Sequence, residues 1–417
     1  MSGSTAEEAR PESSNVRTTP TAVCIVVENL PVPLDRRVWR EACALRAAGY
    51  RVTVICPKGK DHWKAAYEVI EGIEIHRHTS WEASGVVGYL VEYTLAFACE
   101  LLLTLKVFAR TRFRILQACN PPDTIFLIAL LLKPLGVRFI FDQHDLSPEL
   151  FEAKFGARSW LLRSLTRFAE WCSFRTADIC IATNESFRDI AVTRGSKDPK
   201  DVFVVQNCPD LASFSGQVSP PVSNKEGPLV VVYVGFMGKQ DGLELLLDSI
   251  EYLAKQQNRD DAHFVLIGAG PILPVLRERI VKNELESYVT LTGQISHAEV
   301  VAYLRNADIG VAPDPKNPMN DKSTMIKIFE YMAAGLPIVL FDLMEGRRIA
   351  GPAGLYAVPN DPVDFASQVT KLLDSKDLRQ QLGACGRARV EERLNWSLEK
   401  ESFLRAYSAA LEVEHAC

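Results

Sequence analysis

The run Lys327-Ile-Phe-Glu-Tyr-Met-Ala-Ala-Gly-Leu-Pro337, followed at once by Ile338-Val-Leu-Phe341 and Asp342, decides how the chain folds. Its first half repeats apolar residues at helical spacing. Gly335 stops the helix, Pro337 keeps it from resuming, and Ile338 to Phe341 reads as a buried strand. That is one helix-to-strand unit of an α/β fold. Lys327 and Glu330 stand three residues apart and share a face in the first turns of the helix, where backbone N–H groups favour an anion. A lysine for phosphate and a carboxylate for ribose hydroxyls suit a nucleotide, whereas a lone Lys-x-x-Glu is more simply a surface ion pair.

The same grammar extends in both directions. Upstream, strands are expected at Val23 to Val27, Val52 to Cys56, Ile73 to His76, Ile115 to Ala118, Val137 to Phe141, Ile179 to Ala182 and Phe203 to Val205. Arg36 to Ala48 has helical spacing and ends at Gly49. Ser213 to Pro228 is rich in Ser, Pro and Gly and reads as a linker. Strands resume at Leu229 to Val234, Phe264 to Ile267, Val289 to Thr292, Ile309 to Ala312, Ile338 to Phe341 and Leu355 to Val358. Short, uniformly apolar strands imply parallel sheets covered on both faces. The expected architecture is two doubly wound, Rossmann-like domains facing each other across a cleft, residues 20–212 and 229–395, with a final helix at 396–417 and a disordered tail at 1–19. Ligands of such sheets bind at the carboxyl ends of the strands.

Composition narrows the function. The 417 residues exceed one ordinary core, and 47% apolar with 24% charged residues is a globular balance. A net charge of -5 argues against a nucleic-acid partner. Ten cysteines without a Cys-x-x-Cys pair read as buried free thiols of a reducing compartment. The first nineteen residues lack the apolar core of a signal peptide.

Gly85 to Phe108 is almost continuously apolar, with Glu92 and Glu100 inside it and Lys106, Arg110, Arg112 and Arg114 at its end. Two acids disfavour a membrane span, at about 2.5–3.5 kcal/mol each on insertion scales. The segment 85–114 is either a helix lying on a membrane surface with its basic end toward anionic headgroups, or a long core helix covering the sheet.

Three further segments carry chemistry. Gly235-Phe-Met-Gly-Lys239-Gln-Asp-Gly242 lies between a strand and a helix, where glycines let backbone amides approach a diphosphate and Lys239 adds a cation. Gly268-Ala-Gly270-Pro271 follows the next strand and reads first as a tight turn. Phe141-Asp-Gln-His144-Asp-Leu-Ser-Pro-Glu149 begins where a strand ends, so His144 faces the cleft, with Asp142 or Asp145 to fix its tautomer.

Taken in order, Gly235 to Gly242, Phe264 to Pro271, Val289 to Gly293, Ala307 to Pro313 and Lys327 to Val339 resemble the family 4 retaining glycosyltransferases of the GT-B fold, and the resemblance runs from about residue 22 to 410. It implies a hexosyltransferase whose second domain binds a UDP- or GDP-sugar and whose first domain takes the acceptor, with retention of configuration and no metal. By that resemblance Glu330 holds the ribose, Lys239 and Lys327 the diphosphate, His144 the transferred sugar, and the backbone from Gly293 to Ile295 the base. Gly235, Gly238, Gly268 and Gly270 line the donor site. The chain departs from the family at Lys322, where a donor-binding carboxylate is usual, at Phe236 and Asp241, where an Arg and a Lys are usual, and at Glu28 to Arg37, which replaces paired glycines. Asp35, Arg36 or Arg37 is expected there to take over a cleft contact, with Asp35 at least as well placed to cap the helix, and Lys322 or its neighbours Asn320 and Asp321 to bind a hydroxyl or the diphosphate.

The function expected is therefore transfer of a sugar from a nucleotide donor to a lipid-linked or polysaccharide acceptor, by a cytoplasmic protein peripheral to the inner face of the membrane. Lys327→Ala or Glu330→Ala should abolish transfer and leave the protein folded. A nucleotide-sugar epimerase of the same fold and a non-catalytic sugar-nucleotide-binding subunit are the alternatives.

Overall fold

The computed structural model describes residues 20–59, 62–79, 85–155, 160–214 and 227–412; the expected tail and most of the expected linker lie outside them. The first half comprises β1 (Ala22–Val27), α1 (Arg36–Ala47), β2 (Arg51–Pro57), β3 (Tyr67–Ile70), β4 (Ile73–His78), α2 (Gly85–Thr111), β5 (Ile115–Cys119), α3 (Phe126–Leu132), β6 (Arg138–Gln143), α4 (Ser147–Phe155), α5 (Trp160–Thr176), β7 (Ile179–Ala182), α6 (Glu185–Thr193) and β8 (Val202–Val204). The second comprises β9 (Leu229–Val234), α7 (Leu243–Lys255), β10 (Ala262–Ile267), α8 (Leu273–Lys282), β11 (Val289–Gly293), α9 (His297–Asn306), β12 (Ile309–Ala312), α10 (Ile326–Ala334), β13 (Ile338–Phe341), α11 (Met344–Ala350), β14 (Gly354–Ala357), α12 (Pro362–Asp374), α13 (Lys376–Glu392) and α14 (Trp396–Glu412).

Two sheets result, ordered β3-β4-β2-β1-β5-β6-β7-β8 and β11-β10-β9-β12-β13-β14. Every residue of β1 is buried, as the uninterrupted run Ala-Val-Cys-Ile-Val-Val requires of a central parallel strand. One face of the first sheet is covered by α2, α3 and α5, the other by α1 and α14. Helix α14 thus packs on the first domain although it follows the second in sequence, and its Tyr407 hydroxyl donates to Gln117 of β5. The second sheet is sandwiched by α7, α8 and α12 on one side and α9, α10 and α13 on the other.

One strand departs from the all-parallel expectation. β3 pairs antiparallel with β4 through a two-residue turn in which Glu71 and Gly72 both have positive φ, 48° and 76°. Positive φ at both central residues matches the twist of a tight hairpin. The strand is an edge, exposed on the face of Tyr67 and Val69 and half-buried on the other, so it lacks the apolar run that marks the others.

Candidate active site

The second-domain wall of the cleft is built from strand ends. The glycine turn after β9 nests into the one after β10: a Cβ on Gly268 would lie 1.8 Å from the Gly235 carbonyl oxygen, and one on Gly270 would lie 2.5 Å from that of Met237. Gly268 and Gly270 are therefore demanded by the neighbouring backbone. A Cβ on Gly235 would stand 3.3 Å from Lys327 Cε, so the lysine of α10 runs directly beneath this loop. The Gly238 N–H donates to Asp241 at 2.9 Å, which tightens the turn that carries the exposed Lys239. Gly293, at φ 72° with open space around it, ends β11, and Ile295 packs partly buried just beyond it.

Helix α10 enters at Met325 without a side-chain cap, leaving its first N–H groups available to an anion. Lys327 and Glu330 on its first turns are both buried. Lys327 Nζ donates to Asp314 at 2.7 Å and lies 5.0 Å above the Tyr233 ring. Its charge is thus already matched by a buried acid, a partner the sequence reading did not find. Burial pushes the Asp241 carboxyl up to about 6, Lys327 opposing and Asp314 reinforcing the shift. Two acids consequently flank one lysine where a diphosphate is expected. Among the described residues Lys239 and Lys322 have no ion-pair partner, and they are the unmatched cations of this wall. The neighbours of Lys322 are engaged in holding the backbone: Asn320 donates to the carbonyls of Gln240 and Pro315, and Asp321 accepts from the Met344 N–H.

The first-domain wall centres on Arg37, whose guanidinium is buried among Asp142 at 2.9 Å, Glu41 at 3.0 Å, the Val205 carbonyl at 2.8 Å and Asn207 at 3.0 Å. His144 Nε2 lies 2.9 Å from Asp142 Oδ2 and 3.1 Å from Arg37 Nε. One nitrogen cannot donate to the carboxylate and accept from the guanidinium together. Burial disfavours the charged ring, but Asp142 outweighs it and raises the His144 pKa, so the nitrogen donates to Asp142. Asn120 accepts from the His144 and Asp145 backbone N–H groups at 2.7 and 3.1 Å and fixes the turn. Asp35 caps α1 by accepting from the Val38 N–H, while Arg37 turns inward and Arg36 turns out.

Contacts between the domains close the site. Arg36 Nη1 stands 3.4 Å from Glu330 Oε1. Asn184, at the end of β7, donates to the Lys322 carbonyl and to Thr324 Oγ1, each at 2.8 Å. Burial raises the Glu330 pKa, against the pull of Arg36, Arg40 and Lys327. His297, at the start of α9, is lowered to about 4 by burial and by Arg36 and Arg40, so it is neutral at physiological pH. Sequence reasoning brought Arg36 to the cleft but missed Asn184, His297 and Asp314. Asn184 finds its partners about 140 residues away, and Asp314 is matched by Lys327 from the next helix.

Two family models match side by side: "Glycosyltransferase Family 4" over residues 34–213 and "Glycosyl transferases group 1" over residues 228–375. The chain is 23% identical over 393 residues to a glycogen synthase of Mycobacterium tuberculosis, covering 90% of this chain and 91% of that one. A sucrose-phosphate synthase from Thermosynechococcus elongatus superposes with a TM-score of 0.76 at 16% identity, over 94% of this chain and all 100% of that one. The Anabaena protein HepE, solved in complex with UDP, superposes with a TM-score of 0.68 at 14% identity, over 93% and 100%. At such identities the solved structures share the fold.

Proposed function

The chain is a family 4 glycosyltransferase of the GT-B fold, and from that premise we propose that it moves a hexose from a UDP- or GDP-sugar onto a lipid-linked or polysaccharide acceptor at the inner face of the cell membrane. The observation that carries the reading is the meeting of Arg36 and Glu330 across the cleft, beside the nested glycine turns and the uncapped start of α10. A buried carboxylate there suits two ribose hydroxyls, and the backbone amides with Lys239 and Lys322 suit a diphosphate.

In the transfer, the bond from the anomeric carbon to the diphosphate breaks, and a bond to the acceptor oxygen forms on the same face. The acceptor proton goes to the departing phosphate. Charge stabilisation by the lysines and positioning by the two walls supply the catalysis, and no metal is called upon. The His144 ring, whose charged form Asp142 favours, donates as an imidazolium through its other nitrogen to the transferred sugar. The departures at Lys322 and Asp241, with Lys327 matched by Asp314, favour as second reading a subunit that binds sugar-nucleotide without turnover. Titration with UDP or GDP tests donor binding: at a hundredfold excess over Kd the correct nucleotide should add about 2.7 kcal/mol of stability. No shift with either nucleotide rejects both readings.

Association with a membrane rests on the outer face of α2, α3 and α5, which cover the same side of the first sheet. Leu102, Leu105, Leu131, Trp160, Phe168 and Trp171 are exposed there, Trp160 by 77%. Arg110, Arg112, Arg167 and Arg175 stand exposed on or beside the same helices. Apolar and aromatic groups edged by cations suit an anionic interface. No described helix is long and apolar enough to cross a membrane. The chain should sediment with anionic phospholipid vesicles, and Leu102→Glu with Phe168→Glu should weaken that binding at least tenfold. Unchanged sedimentation of the double variant contradicts the assignment.

A further inference from the structure

Outside the donor pocket, Glu28 just after β1, His78 at the end of β4 and Glu100 midway along α2 bring their ligand-type atoms within 4.8 Å of one another. Glu28 Oε2 lies 3.0 Å from His78 Nε2. Glu100 is fully buried, and among the described residues only the Glu28 carboxyl lies within hydrogen-bonding reach of it. A carboxylate so placed is costly without a counter-charge. Among the described residues no lysine or arginine pairs with Glu28 or Glu100.

The histidine is oriented for a ligand's task. Its Nδ1 lies 3.2 Å from the Thr79 carbonyl oxygen, which only accepts, so Nδ1 carries a proton and Nε2 faces Glu28. At 3.0 Å Nε2 and Oε2 are joined either by a shared proton or by a cation that both of them ligate. A backbone carbonyl holding the far nitrogen is the usual support of a metal-bound imidazole.

We propose that Glu28, His78 and Glu100 bind one divalent first-row cation, Zn²⁺ or Mn²⁺, which pins α2 to the cleft end of β1 and β4. One imidazole nitrogen and two carboxylates suit such an ion and leave positions for water. Glu28, with its side chain 10% exposed, provides the way in. The other grouping of this kind, Cys119, Asp142 and His144, is different because the Arg37 guanidinium already supplies its positive charge. The ion has no part in the transfer. It braces the start of the loop that leads from Glu28 to Arg36 and Arg37.

The test is calorimetric titration of the chelator-treated full chain with Zn²⁺ and with Mn²⁺. One equivalent of at least one ion should bind and raise the melting temperature, and Glu28→Gln and Glu100→Gln should each weaken binding at least tenfold. His144→Gln should leave it unchanged. If Glu100→Gln does not fold, the partly exposed Glu28→Gln decides. Absence of binding by the native chain means that a shared proton joins the three groups and overturns the proposal. So does binding that survives Glu28→Gln or is lost in His144→Gln.

Discussion

Glu330→Gln is expected to lower kcat/KM for the nucleotide-sugar by ~10–150-fold, the range that corresponds to about 1.5–3 kcal/mol for hydrogen bonds to a charged group. Its melting temperature should be unchanged or slightly higher. Burial already disfavours the Glu330 carboxylate, and its partner Arg36 has a side chain that is 55% exposed and readily rehydrated. Loss of activity without loss of fold separates a ligand contact from a structural one. Lys327 behaves otherwise, because the structure pairs it with the buried Asp314, a partner that the expectation of a folded Lys327→Ala did not include. Truncation leaves Asp314 buried, its Oδ2 already without a partner, at a cost of about 3–5 kcal/mol. Steady-state kinetics and thermal melts of both variants check the contrast; wild-type kcat/KM in Glu330→Gln would remove Glu330 from the donor site.

Arg37→Met is expected to destabilise the first domain by about 3–5 kcal/mol, because Asp142 and Glu41 are both fully buried around it. For a domain of this size that lowers Tm by roughly 6–20 °C. Adding Asp142→Asn should recover part of the loss, since the two residues share one network. The same hub makes stability depend on pH. Burial, reinforced by Asp142, pushes the Glu41 carboxyl up to about 8 from 4.5. The folded state therefore holds a proton that the unfolded state has released, and this contribution, full below pH 4.5, is lost as pH rises through about 8. Glu41→Gln should flatten that decline. Equal Tm for Arg37→Met and the native chain, or an unaltered pH profile in Glu41→Gln, contradicts the hub as described.

The fold was legible because its signals are local. Each buried parallel strand announces itself as a short apolar run, and Gly335 with Pro337 marks a helix end without reference to anything distant. β3 escaped because an exposed edge strand has no such run; its trace was the Glu71-Gly72 turn. The cleft was legible as an ordered set of motifs, and the first-loop residues Asp35 to Arg37 were brought to it by position alone. What each does was not. Arg36 meets Glu330 at a separation of 294 residues, and Asn184 meets Thr324 at 140. The motif ending at Pro313 stops one residue short of Asp314, the acid that matches Lys327. The turn Gly268 to Pro271 was legible as a tight turn, but not the nesting of Gly268 and Gly270 against another loop's backbone. Such pairings are properties of packing and carry no local signature.

That the interdomain pocket transfers a sugar is tested by incubating the chain with UDP- and GDP-sugars, with and without membranes bearing lipid-linked saccharide, and following released nucleoside diphosphate together with the sugar. We expect release of one diphosphate per sugar transferred, only when acceptor is present. A changed sugar without acceptor would identify an epimerase, and tight donor binding with no release across acceptors would identify a binding subunit. Either outcome contradicts the transfer reaction.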